Sequence, residues 1–579
     1  MVIREFLRKY GWLYIPGFVF LAINSYVQSL APGALGDAID VLSEPSPDRD
    51  ALIRQALIIA GIGAAVFIAR FVWRLFIIGN ARRMECFLRE KLYLKLQSLP
   101  LPFFQKQTSG DLMAYAINDV GAVRMTFGPV LAQSFNGLVI AALSIIGMVR
   151  EVDIRMTLLA LAPVPIAAGA TILLGNQVQK RFGRVQKLFS QLSGFVNESI
   201  SGIKVTKAFA KEKVREQDFA DLSDDMRDAN VRLSYASSLI NPAVTASFGL
   251  SYAVALIAGG NAVLSGSMGA GTLVTFLGYL LLVQQPIVQL GNIINRIQRG
   301  IASYKRLNAI YSEPSIHERE CEYNAGLAES LVPEIKADNI CYRYEGAPDD
   351  ALEGVSFTLR AGGTLGISGA TGSGKTTLLT LIAKLRETDR GSLLIGGYDI
   401  HDIPAYTLRT QLGYVPQDGF LFSATIAENI ALGADEIDMD RVRECARLAC
   451  IADEIESFPE GYETEVGERG THLSGGQKQR VSLARALYRS PKLLLLDDTL
   501  SAVDNITERR LIENLGLADS GAGKITKIVV SHRLSALEHC DEILHFEDGR
   551  IIERGTHEQL LALNGSYAAV WRKQREEDN

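Results

Sequence analysis

About the first 300 residues contain long apolar stretches with no charged side chain, separated by short polar segments. The stretch 10–36 is longer than the roughly 20 apolar residues that an α-helix needs to cross a bilayer. The stretch 233–295 is long enough for two helices, and the small residues at 265–271 near its middle predict the turn between them. Three further stretches each predict one span, at 55–79, 125–149 and 156–179. The pattern therefore predicts six transmembrane helices.

The second predicted span contains two arginines, Arg70 and Arg74, in its later half. A charge at the centre of a bilayer costs at least about 2.5 kcal/mol, so both side chains need a polar environment. They either extend along the helix to the membrane surface or line a watery cavity. The sequence leaves both interpretations open.

Basic residues indicate on which side of the membrane the connections lie. Six spans put both ends of the membrane domain on one side, together with the long connections 80–124 and 180–232. Both connections are rich in Lys and Arg close to the spans, which is typical of cytoplasmic loops. We therefore expect a multi-pass protein of the cell membrane, with its N-terminus and its soluble half in the cytoplasm. The segments 118–120 and 203–209 are the predicted contact points with that soluble half.

Composition divides the chain into two unlike parts. All seven histidines lie from His317 onward, after the predicted spans. The predicted boundaries are a membrane domain at 1–310, a polar linker at 311–333 and a soluble domain at 334–579. The formal net charge of −6 argues against a nucleic-acid partner. The six cysteines have no metal-type CxxC spacing and are interpreted as reduced cytosolic thiols.

The soluble half contains a stretch that fits GxxxxGK[ST] at every fixed position. A short, partly β-branched segment precedes the stretch and helix-spaced leucines follow it, which is the context that a phosphate-binding loop requires. The backbone N–H groups of such a loop surround phosphates at the positive end of a helix, Lys375 can bridge the phosphates, and the Thr376 hydroxyl can ligate Mg²⁺. The alternative is a glycine-rich turn before a core helix. The stretch consists of Gly369, Ala370, Thr371, Gly372, Ser373, Gly374, Lys375 and Thr376.

Two further patterns follow downstream. The apolar residues 493–496 end in Asp497 and Asp498, which is the Walker B pattern, in which Asp497 would hold the Mg²⁺ shell. Residues 473–480 have the sequence LSGGQKQR, in which Ser474 predicts a helix N-cap and a second anion-binding helix start. One nucleotide does not need two such cradles on one domain. We therefore expect the second cradle to close over a nucleotide that another subunit holds.

The LSGGQ stretch with its Walker A and Walker B patterns resembles the ABC ATPase family, and the six spans make the whole chain similar to a half-size ABC exporter. The fold that this resemblance implies is multidomain: a six-helix transmembrane exporter domain followed by a P-loop α/β nucleotide-binding domain. The implied cofactors are ATP and Mg²⁺.

The resemblance also carries family roles onto matching positions. Tyr344 matches the aromatic residue that stacks on adenine, Gln417 the glutamine that senses Mg²⁺, and His532 the switch histidine that contacts the γ-phosphate. The loop 464–468 resembles one that touches coupling helices, and 501–504 resembles the D-loop. The implied nucleotide-binding residues are Tyr344, Gly369, Thr371, Gly372, Ser373, Gly374, Lys375, Thr376, Thr377, Ser474, Gly475, Gly476, Gln477 and Asp504. The implied catalytic residues are Asp498, His532 and Gln417, and the implied metal ligands are Thr376, Gln417 and Asp497.

The chain departs from the family pattern at Asp498, where hydrolysing members carry a glutamate as catalytic base. In this respect the chain resembles the less active subunit of heterodimeric multidrug exporters. A homodimer that tolerates the aspartate is the alternative.

The implied function is ATP-driven export of amphiphilic small molecules, such as drugs or lipids, across the cytoplasmic membrane by one half of an ABC transporter dimer. The implied partner is a second ABC half-transporter chain, predicted to be a different one. Alternatives are a homodimeric lipid flippase, an exporter-fold importer and an ATP-gated regulatory subunit. The predicted spans count against a soluble ABC ATPase of the DNA-repair or translation type.

Overall fold

The computed structural model describes residues 2–44, 48–315, 323–467, 470, 472–501, 503–517 and 524–578. The chain forms two compact units. The membrane unit comprises Met1–Gln97 and Gln107–Glu313, and the soluble unit comprises Ser98–Lys106 and Pro314–Asn579. His317, Cys321 and, in the loops 464–468 and 501–504, Glu468 and Ala502 lie outside the described residues.

The membrane unit is helical. Six helical runs in the described part of the chain are long and apolar enough to cross a membrane, which confirms the predicted number of spans. The run Arg49–Gln97 has 49 residues, so it is about 73 Å long and extends well beyond a hydrocarbon core of roughly 30 Å. The other five runs are Val2–Ser43, Ser109–Glu151, Ile154–Ser201, Glu212–Leu264 and Ala270–Ser312.

These runs contain several α-helices joined by short irregular turns. Two π-helical turns, Tyr115–Asp119 and Thr126–Val130, connect α5, α6 and α7 within one run. Two short helices, α4 and α10, lie between the runs. The helices up to residue 312 are α1 (Val2–Tyr10), α2 (Tyr14–Ser43), α3 (Arg49–Gln97), α4 (Leu101–Lys106), α5 (Ser109–Ala114), α6 (Val120–Met125), α7 (Leu131–Glu151), α8 (Ile154–Leu161), α9 (Val164–Ser201), α10 (Ile203–Ala208), α11 (Glu212–Ser238), α12 (Ile240–Leu264) and α13 (Ala270–Ser312).

The predicted turn at 265–271 separates α12 from α13. Just after it, the backbone N–H of Gly271 donates a hydrogen bond to Asp40 Oδ1 on α2 at 2.7 Å. A Cβ at Gly271 would lie 2.1 Å from the carbonyl oxygen of Gly36. The missing side chain therefore allows α2 and α13 to approach closely, as small residues do between membrane helices.

Arg70 and Arg74 both lie on the exposed side of α3. The guanidinium of Arg74 lies 5.7 Å from the ring centroid of Trp73. Neither arginine is buried among the helices of the membrane unit, and both interpretations of their role stay predictions.

The prediction that 118–120 contacts the soluble half is wrong. Asp119 is buried inside the membrane unit, where its carboxylate accepts hydrogen bonds from Ser303 Oγ at 2.8 Å and from Arg306 Nε at 3.0 Å, both on α13. The part of this connection that joins the soluble unit is instead Ser98–Lys106, which contains α4. Residues 203–209 form α10 and the exposed Phe209, and their contact role stays a prediction.

Two sheets form the frame of the soluble unit. The first is antiparallel with the strand order β2-β1-β4-β5, and the second has the order β10-β9-β3-β8-β7-β6. In the second sheet all neighbours except β10 and β9 pair in parallel. The strands are β1 (Ile335–Tyr342), β2 (Leu352–Leu359), β3 (Thr364–Gly369), β4 (Arg390–Ile395), β5 (Tyr398–Asp399), β6 (Leu412–Val415), β7 (Leu493–Asp497), β8 (Thr526–Val530), β9 (Glu542–Glu547) and β10 (Arg550–Gly555).

Helices cover the parallel part of the second sheet, and every residue of β7 and β8 is buried, as expected for central parallel strands. Because β3, β7 and β8 run in parallel, their carboxyl ends meet at one edge of the sheet, where such folds bind ligands. The helices are α14 (Ala325–Ser330), α15 (Lys375–Ile382), α16 (Ala405–Thr410), α17 (Ile426–Ile430), α18 (Met439–Leu448), α19 (Ala452–Glu456), α20 (Gly475–Tyr488), α21 (Asn505–Asn514), α22 (His557–Leu563) and α23 (Ser566–Asp578).

Candidate nucleotide-binding site

The loop between β3 and α15 has the backbone conformation that phosphate binding requires. Gly372 and Gly374 have φ angles of 86° and 96°, in the left-handed region that favours glycine. A Cβ at Gly369 would lie 2.3 Å from the carbonyl oxygen of Phe546. Gly374 is the N-cap of α15 and supplies no side-chain hydrogen bond. The first N–H groups of α15 are therefore left for a ligand at the positive end of the helix.

Lys375 lies inside this loop. Its Nζ donates hydrogen bonds to the carbonyl oxygens of Gly369 at 2.8 Å and Ala370 at 2.7 Å. Burial lowers the pKa of Lys375, while the carboxylates of Asp498 and Asp497 act in the opposite direction. A bound polyphosphate would offer this buried ammonium stronger, charge-assisted acceptors than the two carbonyls.

Thr376 and Asp497 are the residues of the candidate site that could hold a metal ion. Thr376 Oγ1 donates to Asp497 Oδ1 at 3.1 Å. Asp497 Oδ2 and Ser373 Oγ are buried and have no hydrogen-bond partner among the described residues. Burial raises the pKa of Asp497, and the neighbouring Asp498 raises it further. An unpaired buried carboxylate oxygen beside a hydroxyl fits Mg²⁺, which takes oxygen ligands and keeps several waters or phosphates.

Asp498 follows β7 in a strained conformation. Its φ is 52°, which is uncommon for a residue with a side chain. Its Oδ2 accepts a hydrogen bond from Gln417 Nε2 at 3.4 Å, and its Oδ1 accepts one from the backbone N–H of His532 at 3.3 Å. The structure therefore brings the three predicted catalytic residues together around one carboxylate.

Tyr344 also lies beside the loop. Its hydroxyl shares a hydrogen bond of 2.9 Å with Oγ1 of Thr377 on α15, and its ring is half-buried. The guanidinium of Arg386 lies 4.7 Å from the centroid of this ring. Sequence reasoning did not identify Arg386, since it matches no motif.

The LSGGQ stretch starts α20 as predicted. Ser474 is the N-cap, with its Oγ accepting from the N–H of Gln477 at 3.3 Å and its own N–H donating to Gln477 Oε1 at 2.8 Å. Gln477 Nε2 donates to Glu454 Oε2 at 2.9 Å, and Arg480 Nη1 donates to Glu454 Oε1 at 2.6 Å. Ser474 and Gly475 are exposed and Gly476 is half-buried. No motif singles out Glu454.

Asp504 acts as a helix cap in this structure. Its Oδ1 accepts hydrogen bonds from the N–H groups of Ile506 and Thr507, both at 3.0 Å, and its Oδ2 accepts one from Thr507 Oγ1 at 2.7 Å. The bonds to Thr507 lower the pKa of Asp504 to about 2. A contact between Asp504 and nucleotide stays a prediction.

The predicted residues thus form two groups. Contacts within the first group join the loop at 369–377, Asp497, Asp498, Gln417, His532 and Tyr344. The second group is the start of α20, whose side-chain bonds run to its own first turn and to Glu454. The first arrangement can hold a metal–polyphosphate complex, and the second presents an exposed helix start.

Two protein families match this chain, one in the membrane half and one in the soluble half. The family described as the ABC transporter transmembrane region matches residues 14–287. The family described as ABC transporter matches residues 352–501, which include the phosphate loop and the start of α20.

Relatives match along nearly the whole length. The chain is 36% identical over 577 residues to the probable multidrug resistance ABC transporter ATP-binding/permease protein YheI of Bacillus subtilis, covering 98% of this chain and 97% of that protein. It is 34% identical to the multidrug resistance-like ATP-binding protein MdlA of Escherichia coli, covering 98% and 95%. It is 31% identical to an ATP-dependent lipid A-core flippase of Syntrophus aciditrophicus, covering 95% and 91%.

A solved structure shares the fold. The structure of a bacterial Atm1-family ABC exporter with ATP bound has a TM-score of 0.79 and 26% sequence identity, and the alignment covers 98% of each chain.

Proposed function

Because the chain belongs to the ABC transporter family, as a half-size exporter with one transmembrane and one nucleotide-binding domain, we propose that it exports amphiphilic small molecules across the cytoplasmic membrane. ATP binding and hydrolysis drive the export, and the chain works as one half of a dimer. The name of the Bacillus relative, which refers to multidrug resistance, supports this class of cargo.

The observation that carries this proposal is the set of contacts around the phosphate loop. Lys375 is held on two loop carbonyls and Thr376 is bonded to Asp497, whose second carboxylate oxygen has no partner among the described residues. Lys375 would bind the β- and γ-phosphates, and Thr376, Asp497 and Gln417 would hold Mg²⁺. When bound, the metal neutralises charge that develops on the phosphates during hydrolysis.

A transport assay tests this function. The purified dimer is reconstituted in lipid vesicles with nucleotide-binding domains outward, and accumulation of an amphiphilic dye in the lumen is followed. We expect accumulation with ATP and Mg²⁺ and none with a non-hydrolysable ATP analogue. Equal accumulation with both nucleotides would contradict an ATP-driven pump and favour an ATP-gated pathway.

The second part of the proposal is that the partner is a different half-transporter and that this chain's own site hydrolyses ATP weakly. Support comes from Asp498, whose carboxylate is one methylene shorter than that of glutamate. Its two oxygens already accept hydrogen bonds from Gln417 and His532. A base displaced by about 1 Å loses much of its effect on the attacking water, since positioning dominates phosphoryl transfer.

Asp498→Asn tests this asymmetry. General-base catalysis is worth about 10² to 10⁴ in rate, so the variant would lose turnover if Asp498 were the working base. We expect steady-state ATPase of the dimer in nanodiscs to change by less than about twofold. The matched control replaces the corresponding partner carboxylate with its amide and should stop turnover. A loss of about 10²-fold from Asp498→Asn would show that this site is catalytic.

A homodimeric lipid flippase is the second candidate, favoured by the likeness to a relative that is named a lipid A-core flippase. The two candidates differ in what the purified chain does alone. A heterodimer subunit should hydrolyse ATP very slowly without its partner, whereas a homodimer should reach full turnover and respond to added lipid A-like lipid.

A further inference from the structure

Arg386 is a buried cation beside the candidate base-binding tyrosine. The residue is only 7% exposed. Its guanidinium carbon lies 4.7 Å from the ring centroid of Tyr344 and 5.7 Å from that of Tyr342. Both distances are within the roughly 6 Å range of cation–π attraction, which strengthens when the cation is shielded from water.

Hydrogen bonds hold the guanidinium in this place. Arg386 Nη1 donates to the hydroxyl of Tyr342 at 2.8 Å, and Nη2 donates to Gln105 Oε1 at 2.6 Å. Gln105 lies in α4, in the segment Ser98–Lys106 that belongs to the soluble unit. The next residue, Lys106, forms an ion pair with Glu345, directly after Tyr344 in the chain. The short segment is therefore attached to two neighbours of Tyr344, Arg386 in space and Glu345 in the chain.

The ring of Tyr344 is itself fixed in orientation. Its hydroxyl is bonded to Thr377 Oγ1, and Tyr342 packs against it edge to face with centroids 5.1 Å apart. Arg386 is almost fully buried, whereas Tyr344 is only half-buried. Tyr344 thus keeps exposed surface beside a cation that has almost none. A flat base can stack there while the cation stays behind the ring.

We infer that Arg386 is a positioning residue for the nucleobase: it backs the ring of Tyr344, so that the base stacks on the opposite face. This inference rests on the proposed function, since it requires nucleotide at the loop of Lys375. The cation withdraws charge from the ring and fixes its plane, and both effects favour stacking on an electron-rich base. Gln105 orients the same guanidinium. Nucleobase binding at Tyr344 and the packing of the segment Ser98–Lys106 against Arg386 should therefore stabilise each other, because thermodynamic coupling between two sites is reciprocal.

The test separates base recognition from phosphate recognition. The full-length chain in nanodiscs is titrated with ATP and, separately, with inorganic tripolyphosphate, each displacing a fluorescent ATP analogue. Arg386→Met keeps the length of the side chain and removes the charge. We expect its ATP affinity to fall about threefold to tenfold, with the affinity for tripolyphosphate unchanged. Arg386→Lys, which keeps the cation, should recover part of the loss. Gln105→Ala should give a smaller loss in the same direction.

The other outcomes overturn the inference in distinguishable ways. A gain in ATP affinity in Arg386→Met would mean that the guanidinium covers the face that the base needs. Equal losses for ATP and tripolyphosphate would mean that the substitution only disturbs the fold of the domain. Failure of the unaltered chain to bind either compound would overturn the proposed function itself.

Discussion

Two helices of the soluble unit begin with glycine-rich sequence, yet their first turns are built differently. The start of α15 is buried, with Lys375 and Thr377 inside the domain and no side chain capping the helix. The start of α20 is exposed and closed by a reciprocal pair of bonds between Ser474 and Gln477. The first start needs a ligand to satisfy its N–H groups, whereas the second is stable as an ordinary capped helix.

This difference is consistent with the predicted roles, in which the start of α15 binds this chain's own nucleotide and the start of α20 contacts the nucleotide of another subunit. The buried start is adjacent to the carboxylates of its own chain through Thr376 and Asp497. The exposed start has no such neighbours in the bonds described above and presents its glycines to the outside. A helix start that is already capped is stable in the single chain, which is compatible with the prediction that it contacts a nucleotide held by another subunit.

Ser474→Arg should reduce ATPase activity more than any other substitution proposed for this chain. It tests whether the start of α20 acts on a nucleotide held by another subunit. An arginine at the N-cap removes the cap oxygen and fills the space before the helix start. Loss of preorganised donors to a transition state typically costs about 10²-fold or more in rate, so we expect a drop of this size in ATPase of the assembled dimer. Binding of ATP to the loop of the same chain should change little.

Ser474→Gly is the matched control, since glycine replaces a capping serine at a cost of only a few tenths of a kcal/mol. Because it also removes the hydroxyl but does not fill the space before the helix start, its turnover should fall less than that of Ser474→Arg. Retained turnover in Ser474→Arg, together with lost binding at the loop of the same chain, would reverse the assignment of the two starts.

Lys375→Ala should have the next largest effect, confined to the buried start. Charge-assisted hydrogen bonds contribute about 1.5 to 3 kcal/mol, so ATP affinity at this chain's site should fall about tenfold to hundredfold. Photolabelling of each subunit with an azido-ATP analogue measures the two sites separately. Lys384→Ala in the same domain is the control. Undiminished labelling of the Lys375→Ala chain would contradict a phosphate-binding role for the loop.

Glu454→Gln should have the smallest effect on ATPase activity. It tests whether the bonds to Glu454 from Gln477 and Arg480 support the start of α20. Hydrogen bonds from Arg480 and Gln477 hold the pKa of Glu454 below its usual value despite the opposing effect of burial. An amide keeps one acceptor oxygen and so retains only one of these two bonds well. Since such a bond contributes about 1 kcal/mol, turnover of the dimer should fall about twofold to fivefold with ATP affinity unchanged. A fall in ATP affinity at this chain's own phosphate loop would mean that Glu454 supports nucleotide binding at the start of α15 instead.

The sequence predicted those features that depend on neighbours along the chain. Long apolar stretches located all six spans, five of them in charge-free sequence and the second in a stretch that contains Arg70 and Arg74, because the part of a helix that crosses lipid must be largely apolar. The glycine pattern located the loop at 369–376, and Ser474 was correctly expected at the start of α20. In each case the physical requirement falls on consecutive residues, so the pattern is readable without the fold.

Features that depend on distant residues were missed or misplaced. Gln105 and Arg386 are 281 positions apart, and nothing in either local sequence indicates their bond. The segment 118–120 was expected at a loop tip, but Asp119 pairs with Ser303 and Arg306 inside the membrane unit. The local sequence around a polar residue in a Lys/Arg-rich connection is the same whether its side chain is exposed to solvent or hydrogen-bonded to a helix that is distant in the chain. Glu454 was overlooked for the same reason.

The membership of Ser98–Lys106 in the soluble unit also affects how the protein is made. This segment leaves the ribosome early, whereas the strand β10 of the same unit, Arg550–Gly555, is near the end of the chain. At about 5 to 20 residues per second, synthesis of the remaining chain takes roughly half a minute to a minute and a half. Until Glu345 and Arg386 have been synthesised and the strands of the soluble unit have paired, Lys106 and Gln105 lack the partners that they have in the finished protein. The soluble unit is therefore not a continuous stretch of late sequence, because one of its segments is synthesised between two parts of the membrane unit.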